Sequence, residues 1–229
     1  MTRICFDYGH GGLDPGAVYK DRKEKDDNLE IGRLVAKTLR LYGVEIDETR
    51  SGDETMTLGS RCRFENKKKY DYFISFHRNA YKPEEARGVE TYIYINGNPR
   101  AKSLSLKIQK AIVDQGFIDR GVKMADFKVL RETLAPALLI ELGFIDNTLD
   151  NQLFLDKNKE IGESISRSIL EHLGIKYKGP DKELDKEIML NPESKVDLYR
   201  VIAGSFKKRE NAERRIKDLK DAGFDCYMI

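Results

Sequence analysis

The sequence has no tryptophan, only three cysteines and three histidines, and almost no excess of charge. Each shortage excludes something. Cys5, Cys62 and Cys226 are odd in number and far apart, which rules out a C-x-x-C zinc site and argues against a disulfide framework. They read as small buried or half-buried hydrophobes. With 41 basic against 39 acidic residues, the formal charge of +2 gives no long-range field to attract nucleic acid, and no nucleic-acid-binding signature is present. No apolar run approaches the roughly 20 residues that a membrane span needs. The first residues, MTRICFDYGHGG, enter a strand-like run at once, without the basic head and apolar core of a signal peptide. The expectation is a protein made in the cytoplasm without a signal peptide, so that any work outside the cell depends on release by another route.

What is present fits a soluble α/β protein. The 229 residues suffice for one well-filled domain and a small appendage. Short apolar runs alternate with helical patterns up to about residue 175, as when helices cover a twisted, mostly parallel sheet. The strand expectations are Arg3 to Asp7, Val44 to Glu48, Tyr72 to His77, Val89 to Ile95, Lys128 to Leu130 and Ala137 to Leu142. Between them, Ile31, Leu34, Val35 and Leu39 recur at helical spacing, as do Leu104, Ile108, Ala111 and Ile112, and later Ile161, Ile165 and Ile169. Residues 176 to 197, charged and holding two of the six prolines, read as a linker. Residues 198 to 229 read as a small βαβ unit: LYRVIAGSF as a strand, Lys208 to Ala222 as a helix, and GFDCYMI as a strand. So small a unit cannot bury enough apolar surface to be stable alone.

His10 and His77 each close a strand-like run, where open α/β sheets gather ligands and catalytic groups. Neutral imidazole is a good zinc ligand, and a catalytic zinc takes three protein ligands from His and carboxylate. The alternative for each is an ordinary strand-end histidine bonded to a carbonyl. His172, near a helix end, reads as a complement to the helix dipole. Glu141 interrupts the aliphatic run PALLIELGFI; a carboxylate there is paired, metal-associated or tuned to titrate near neutrality, unless the strand is an edge with one wet position. Glu24, in KDRKEKDD, reads by composition as part of a solvated loop. The loop GHGGLDPGA permits close backbone approach around His10, but no phosphate-binding loop, G-x-S-x-G elbow or H-E-x-x-H pair is present.

In order along the chain stand DYGHGGLDPGA, KEKDDNL, TRSGDETMTLGSR, SFHRNA, GVETYIY, RGVK and PALLIELGFIDNTLD. Over residues 2 to 174 this series resembles the zinc amidases of the N-acetylmuramoyl-L-alanine amidase type 3 family. The resemblance implies a six-stranded sheet flanked by helices, the strand count reached above. It implies Zn2+ held by His10, Glu24 and His77, and Glu141 as the catalytic carboxylate. The implied reaction is hydrolysis by zinc-activated water of the peptidoglycan amide joining the lactyl group of N-acetylmuramic acid to L-alanine, as an autolysin or a phage-type endolysin does. Tyr8 departs from the family's usual proline without removing a ligand. Asn79 and Arg78, just past His77, are further candidates for binding substrate or orienting a ligand. A zinc peptidase cutting within the stem peptide and a non-enzymatic wall-binding protein are the rival readings.

The carboxy-terminal unit resembles the sporulation-related (SPOR) repeat, a peptidoglycan-binding module, but only one βαβ half is visible. Arg200, Ser205 and Phe206 are its candidate glycan contacts. A half-module leaves a sheet edge open, from which a homodimer through residues 198 to 229 is expected. The protein would then meet the wall after lysis or membrane breach.

Overall fold

Ile4, Phe6 and Tyr8 point to one side of the first strand, and Cys5 and Asp7 to the other; all five are buried. A strand with no wet face belongs inside a sheet covered on both sides. The computed structural model describes residues 2–179 and 209–221 of the chain. The chain divides into two units, Met1–Pro180 and Asp181–Ile229.

The first unit is built on a six-stranded sheet of order β4-β1-β5-β8-β6-β7, with β1 at Arg3–Tyr8, β4 at Glu45–Glu48, β5 at Tyr72–Asn79, β6 at Val89–Tyr94, β7 at Asp119–Ala125 and β8 at Ala137–Phe144. The first four in that order run parallel; β6 is antiparallel to β8, and β7 parallel to β6. This is the mixed α/β, mostly parallel six-stranded fold expected from the sequence. A two-stranded ribbon, β2 (Val18–Tyr19) and β3 (Arg22–Lys23), leads into helix α1 (Glu24–Leu41). The remaining helices are α2 (Leu58–Glu65), α3 (Pro99–Val113), α4 (Lys128–Arg131), α5 (Thr148–Asp156) and α6 (Asn158–His172).

One sheet face carries the larger core: Ile4, Phe6, Ile74, Phe76 and Ile140 pack with Ile31, Val35 and Leu39 of α1, Leu104 and Ile108 of α3, and Ile161, Ile165 and Ile169 of α6. The helical stripes read from the sequence are therefore the faces that meet the sheet. The other face has a thinner cover, where Cys5, Phe73 and Leu139 meet Cys62 of α2 and Val129 and Leu130 of α4. Both sides of the odd-even alternation in β5 and β8 are thus buried, and His77 and Glu141 belong to the thinly covered side.

One strand expectation fails. Lys128 to Leu130 is a helical turn, and the sixth strand is Asp119–Ala125. Val129 and Leu130 are apolar because they cap the smaller core, whereas β7 is an edge strand with no fully buried residue and so lacks the alternation that marks a half-buried strand. In the second unit, helix α7 spans Arg209–Asp221, inside the helix expected at 208 to 222. The two flanking strands expected there, with Arg200, Ser205, Phe206 and Cys226, lie outside the described residues.

Candidate metal centre and active site

After β1 the chain passes through Gly9 into His10, which takes the left-handed conformation at φ 62°. A non-glycine residue there is strained, so its surroundings have to hold it. Two buried arginines do so. Arg61 donates to the carbonyls of Tyr8 at 2.7 Å and His10 at 2.6 Å, and Arg50 to those of Tyr8 at 2.9 Å and Gly9 at 3.2 Å. Arg61 also pairs with Asp7 at 2.7 Å, and Ser75 and Thr49 donate to the same carboxylate, each at 2.7 Å. Burial would raise the Asp7 carboxyl, but Arg61 and the two hydroxyls outweigh it and hold it below its ordinary value.

Glu24 is the first residue of α1, with Asp26 and Asp27 beside it in the opening turn, where carboxylates are favoured by the helix dipole. The acidic run that reads as a wet loop is a helix start, and Glu24 is 4% exposed. Its Oε2 accepts from the Ala17 amide at 3.0 Å and its Oε1 from the Arg78 amide at 3.2 Å. The same two oxygens face the histidines: His10 Nε2 lies 3.1 Å from Oε2, and His77 Nδ1 lies 2.8 Å from Oε1. The rings meet edge to face with centroids 5.2 Å apart. Gly16, at φ +67°, lets the backbone pass close by; a Cβ there would stand 2.6 Å from both Glu24 Oε2 and His10 Cδ2. At Gly9 a Cβ would strike the His77 ring at 2.2 Å.

This donor set fits zinc. One ligand atom from each of His10, Glu24 and His77 lies within 4.8 Å of the others, and this is the one such cluster found among the described residues. Zinc bonds of about 2.0 to 2.2 Å need nitrogen and carboxylate donors at such separations. The far nitrogen of His10, Nδ1, lies 2.8 Å from Asp14 Oδ2, the kind of carboxylate partner that orients a histidine when it holds a metal. Burial lowers the His10 imidazole, but Glu24 and Asp14 outweigh it and lift it to about 9. His77 is also raised, burial again being outweighed by Glu24, whose own carboxyl is held low by the two imidazoles against its burial. Asp14→Asn is expected to weaken zinc binding by about 10- to 100-fold. Competition with a chromophoric chelator measures this, and an unchanged affinity would deny Asp14 that part.

Glu141 lies directly opposite His77 in the β5–β8 register, on the same face. β8 is central, so the edge-strand reading of this carboxylate does not hold. Its Oε2 is buried without a hydrogen-bond partner. Burial raises the carboxyl to about 7, with His77 opposing and Glu24 and Glu90 adding to the rise. A buried oxygen left unsatisfied beside a cluster of donors marks a site built for something else to bind.

The neighbours of His77 have other duties. Arg78 is buried on the opposite side, donating to Asp27 at 2.6 Å and Asn151 at 2.8 Å with its guanidinium 4.3 Å over Phe154. Asn79 donates to Glu90 at 2.6 Å and accepts from the Ala80 amide at 2.8 Å, so both ends of its amide are engaged by the protein. His172, in the last turn of α6, has a further partner: its Nε2 lies 2.7 Å from the Tyr72 hydroxyl, and burial together with Lys107 and Arg100 lowers its pKa.

The profile described as N-acetylmuramoyl-L-alanine amidase matches residues 4–171. The chain belongs to that family. The amidase is 34% identical to the sporulation-specific N-acetylmuramoyl-L-alanine amidase of Bacillus subtilis (strain 168), over its whole length and 85% of the relative. It is 37% identical to the endolysin of Bacillus phage SPP1, over 80% of this chain and 70% of that one. The crystal structure of N-acetylmuramoyl-L-alanine amidase from Clostridium difficile 630 superposes with TM-score 0.72 at 32% identity, covering 77% of this chain and 98% of that one. A SPOR domain profile matches residues 170–229 of the amidase, starting well before residue 198, where the half-module was expected. Of the groups that shape the amidase site, the sequence reading missed Asp7, Asp14, Arg50, Arg61 and Glu90. Asp7 and Glu90 had the same signal as Glu141, a lone carboxylate in an apolar strand run; the other three sit in polar stretches, where composition conceals burial.

Proposed function

We propose that His10, Glu24 and His77 bind zinc and that Glu141 moves the proton during cleavage of the amide between N-acetylmuramic acid and L-alanine in peptidoglycan. Carrying the reading is the placement of Glu141: opposite a metal-ligating histidine, with one buried oxygen unpaired and an affinity for protons near neutrality. Bound at the triad, zinc supplies Lewis acidity toward the scissile carbonyl and makes water acidic near pH 7. Glu141, ionised, accepts a proton from the attacking water and then, as the acid, delivers it to the departing L-alanine nitrogen, since an amine anion is too poor a leaving group. Arg50, Arg61 and Asp7 fix the His10 turn; Asn79 and Glu90 brace the end of β5 and are positioning residues in this scheme.

Residues 170–229 are assigned to wall binding on the strength of the SPOR match, and the enzyme's place of work is the cell wall. Among the described residues no helix is long and apolar enough to cross a membrane. The expected homodimer rested on a half-sized module, and a match spanning residues 170–229 gives it no support. To test the reaction, purified walls are digested and newly formed amino termini are labelled. L-alanine is expected as the new terminus, with loss of activity after chelation. New termini on other stem residues would favour a stem-peptide peptidase instead.

A further inference from the structure

The RGVK segment, residues 120 to 123 on β7, takes no part in the metal centre. It is nonetheless shaped in an unusual way. The β6–β7 register passes from Val89 opposite Asp119 to Thr91 opposite Val122, so β7 carries one residue more than its partner. Gly121 takes up the excess at φ +82°, with open space where a Cβ would go, so the glycine is there for its backbone and not for room. Such a bulge re-aims side chains. In an unbroken strand, residues three apart face opposite ways; here Arg120 and Lys123 converge on one oxygen of Glu90, Arg120 Nε at 2.8 Å and Lys123 Nζ in direct contact.

Glu90 is 3% exposed and stands directly opposite Glu141 in the β6–β8 register. His77, Glu141, Glu90 and the two cations therefore form one row across the sheet. A single carboxylate cannot neutralise both cations, and the trio keeps one positive charge. Arg120 uses only Nε on Glu90 and rests 4.9 Å over the Phe144 ring; among the described residues its two terminal nitrogens have no hydrogen-bond partner. With their side chains at 34% and 39% exposure, Arg120 and Lys123 are both partly open to solvent.

The glycan side of the scissile amide carries hydroxyls and acetamides, whereas the stem peptide carries the carboxylates. β7 lies two strands from β8, roughly 10 Å away at about 4.8 Å per strand. A carboxylate on the second stem residue lies about 7 Å beyond the scissile nitrogen, at about 3.5 Å per residue. Arginine and lysine arms span the difference. We propose that Arg120 and Lys123, brought side by side by the Gly121 bulge and anchored on Glu90, form the subsite for a carboxylate on the second residue of the stem peptide, and so fix the orientation in which the amide is presented to the site. This rests on the amidase reading.

The test is calorimetric binding to the zinc-loaded, full-length enzyme of two synthetic dipeptides, L-alanyl-D-glutamate with a free α-carboxylate and the same with that group as a carboxamide. The wild type is expected to bind the acid at least tenfold more tightly, and Arg120→Gln/Lys123→Gln to bind both weakly and alike. Lys123→Gln alone, at a half-buried position, should lose at least threefold of the preference, and Arg120→Lys should retain part of it. Zinc content and melting temperature show that each variant is folded, so the single change decides if the double variant is not. No preference in the wild type, or a preference kept without both cations, overturns the subsite. Hydrolysis of a muramyl peptide by the wild type is followed separately: failure there sinks the amidase reading, while the binding ratio still judges the subsite.

Discussion

Glu141→Gln is expected to lower kcat/KM by about 10²- to 10⁴-fold while the protein retains stoichiometric zinc, because proton transfer is lost and the three ligands are not. The same change should stabilise the chelator-treated protein above neutral pH. Burial lifts the Glu141 carboxyl from 4.5 to about 7, so the fold favours the protonated form. Stability from this group is thus present at low pH and falls as pH rises from 4.5 through 7. Removing the charge should recover up to about 3 kcal/mol at pH 8, taking about 1.4 kcal/mol per tenfold change in proton affinity. For activity the sign is reversed: the base acts when ionised, so kcat/KM should rise with pH along a limb at or below pH 7, since a bound cation lowers the carboxyl further. In the glutamine variant that limb should disappear. A variant that keeps more than a tenth of the wild-type rate, or that is less stable at pH 8 than the parent, would show that Glu141 is a structural group.

His77→Ala should reduce zinc affinity by more than the roughly 100-fold that loss of an orienting partner costs, with activity falling in parallel. The ionisation of the site adds a second, independent measure. Imidazole ligates only when neutral, and burial notwithstanding, Glu24 and Asp14 lift His10 to about 9 while Glu24 raises His77. Zinc binding at pH 7 should therefore expel between one and two protons, and affinity should climb as pH rises toward 9. Calorimetry in buffers of different ionisation heat counts those protons. The alanine variant should release fewer. Heats that do not depend on the buffer, or stoichiometric zinc in both His10→Ala and His77→Ala, would move the metal elsewhere.

Much of the fold is legible because periodicity records burial. The stripes Ile31, Val35 and Leu39 or Ile161, Ile165 and Ile169 could only be helix faces against a sheet, and β1, β5 and β8 carry near-continuous apolar runs because both of their faces are covered. β7 escaped notice for the converse reason: an edge strand with a bulge at Gly121 and cations turned to solvent carries no alternation, while the apolar pair Val129 and Leu130 imitates a strand within a helical turn. For the site, the sequence by itself determined the chemistry available, two strand-end histidines and one carboxylate inside an aliphatic run, and the ordered motifs identified the family to which they belong. Tertiary structure alone decided the remainder. Glu24 meets the two histidines because the first turn of α1 is carried under the His10 loop, a separation of 14 residues along the chain from His10 and 53 from His77 that local composition cannot register. Arg50 and Arg61 look like solvated charges in TRSGDETMTLGSR and are instead buried anchors of a strained turn, because the carbonyls of residues 8 to 10 have no strand partner and need donors that a charged side chain can bring inward. Spacing along a chain fixes which residue types recur; which of them share a solvent-excluded pocket depends on strand order and register, and these are set by the packing of the whole sheet.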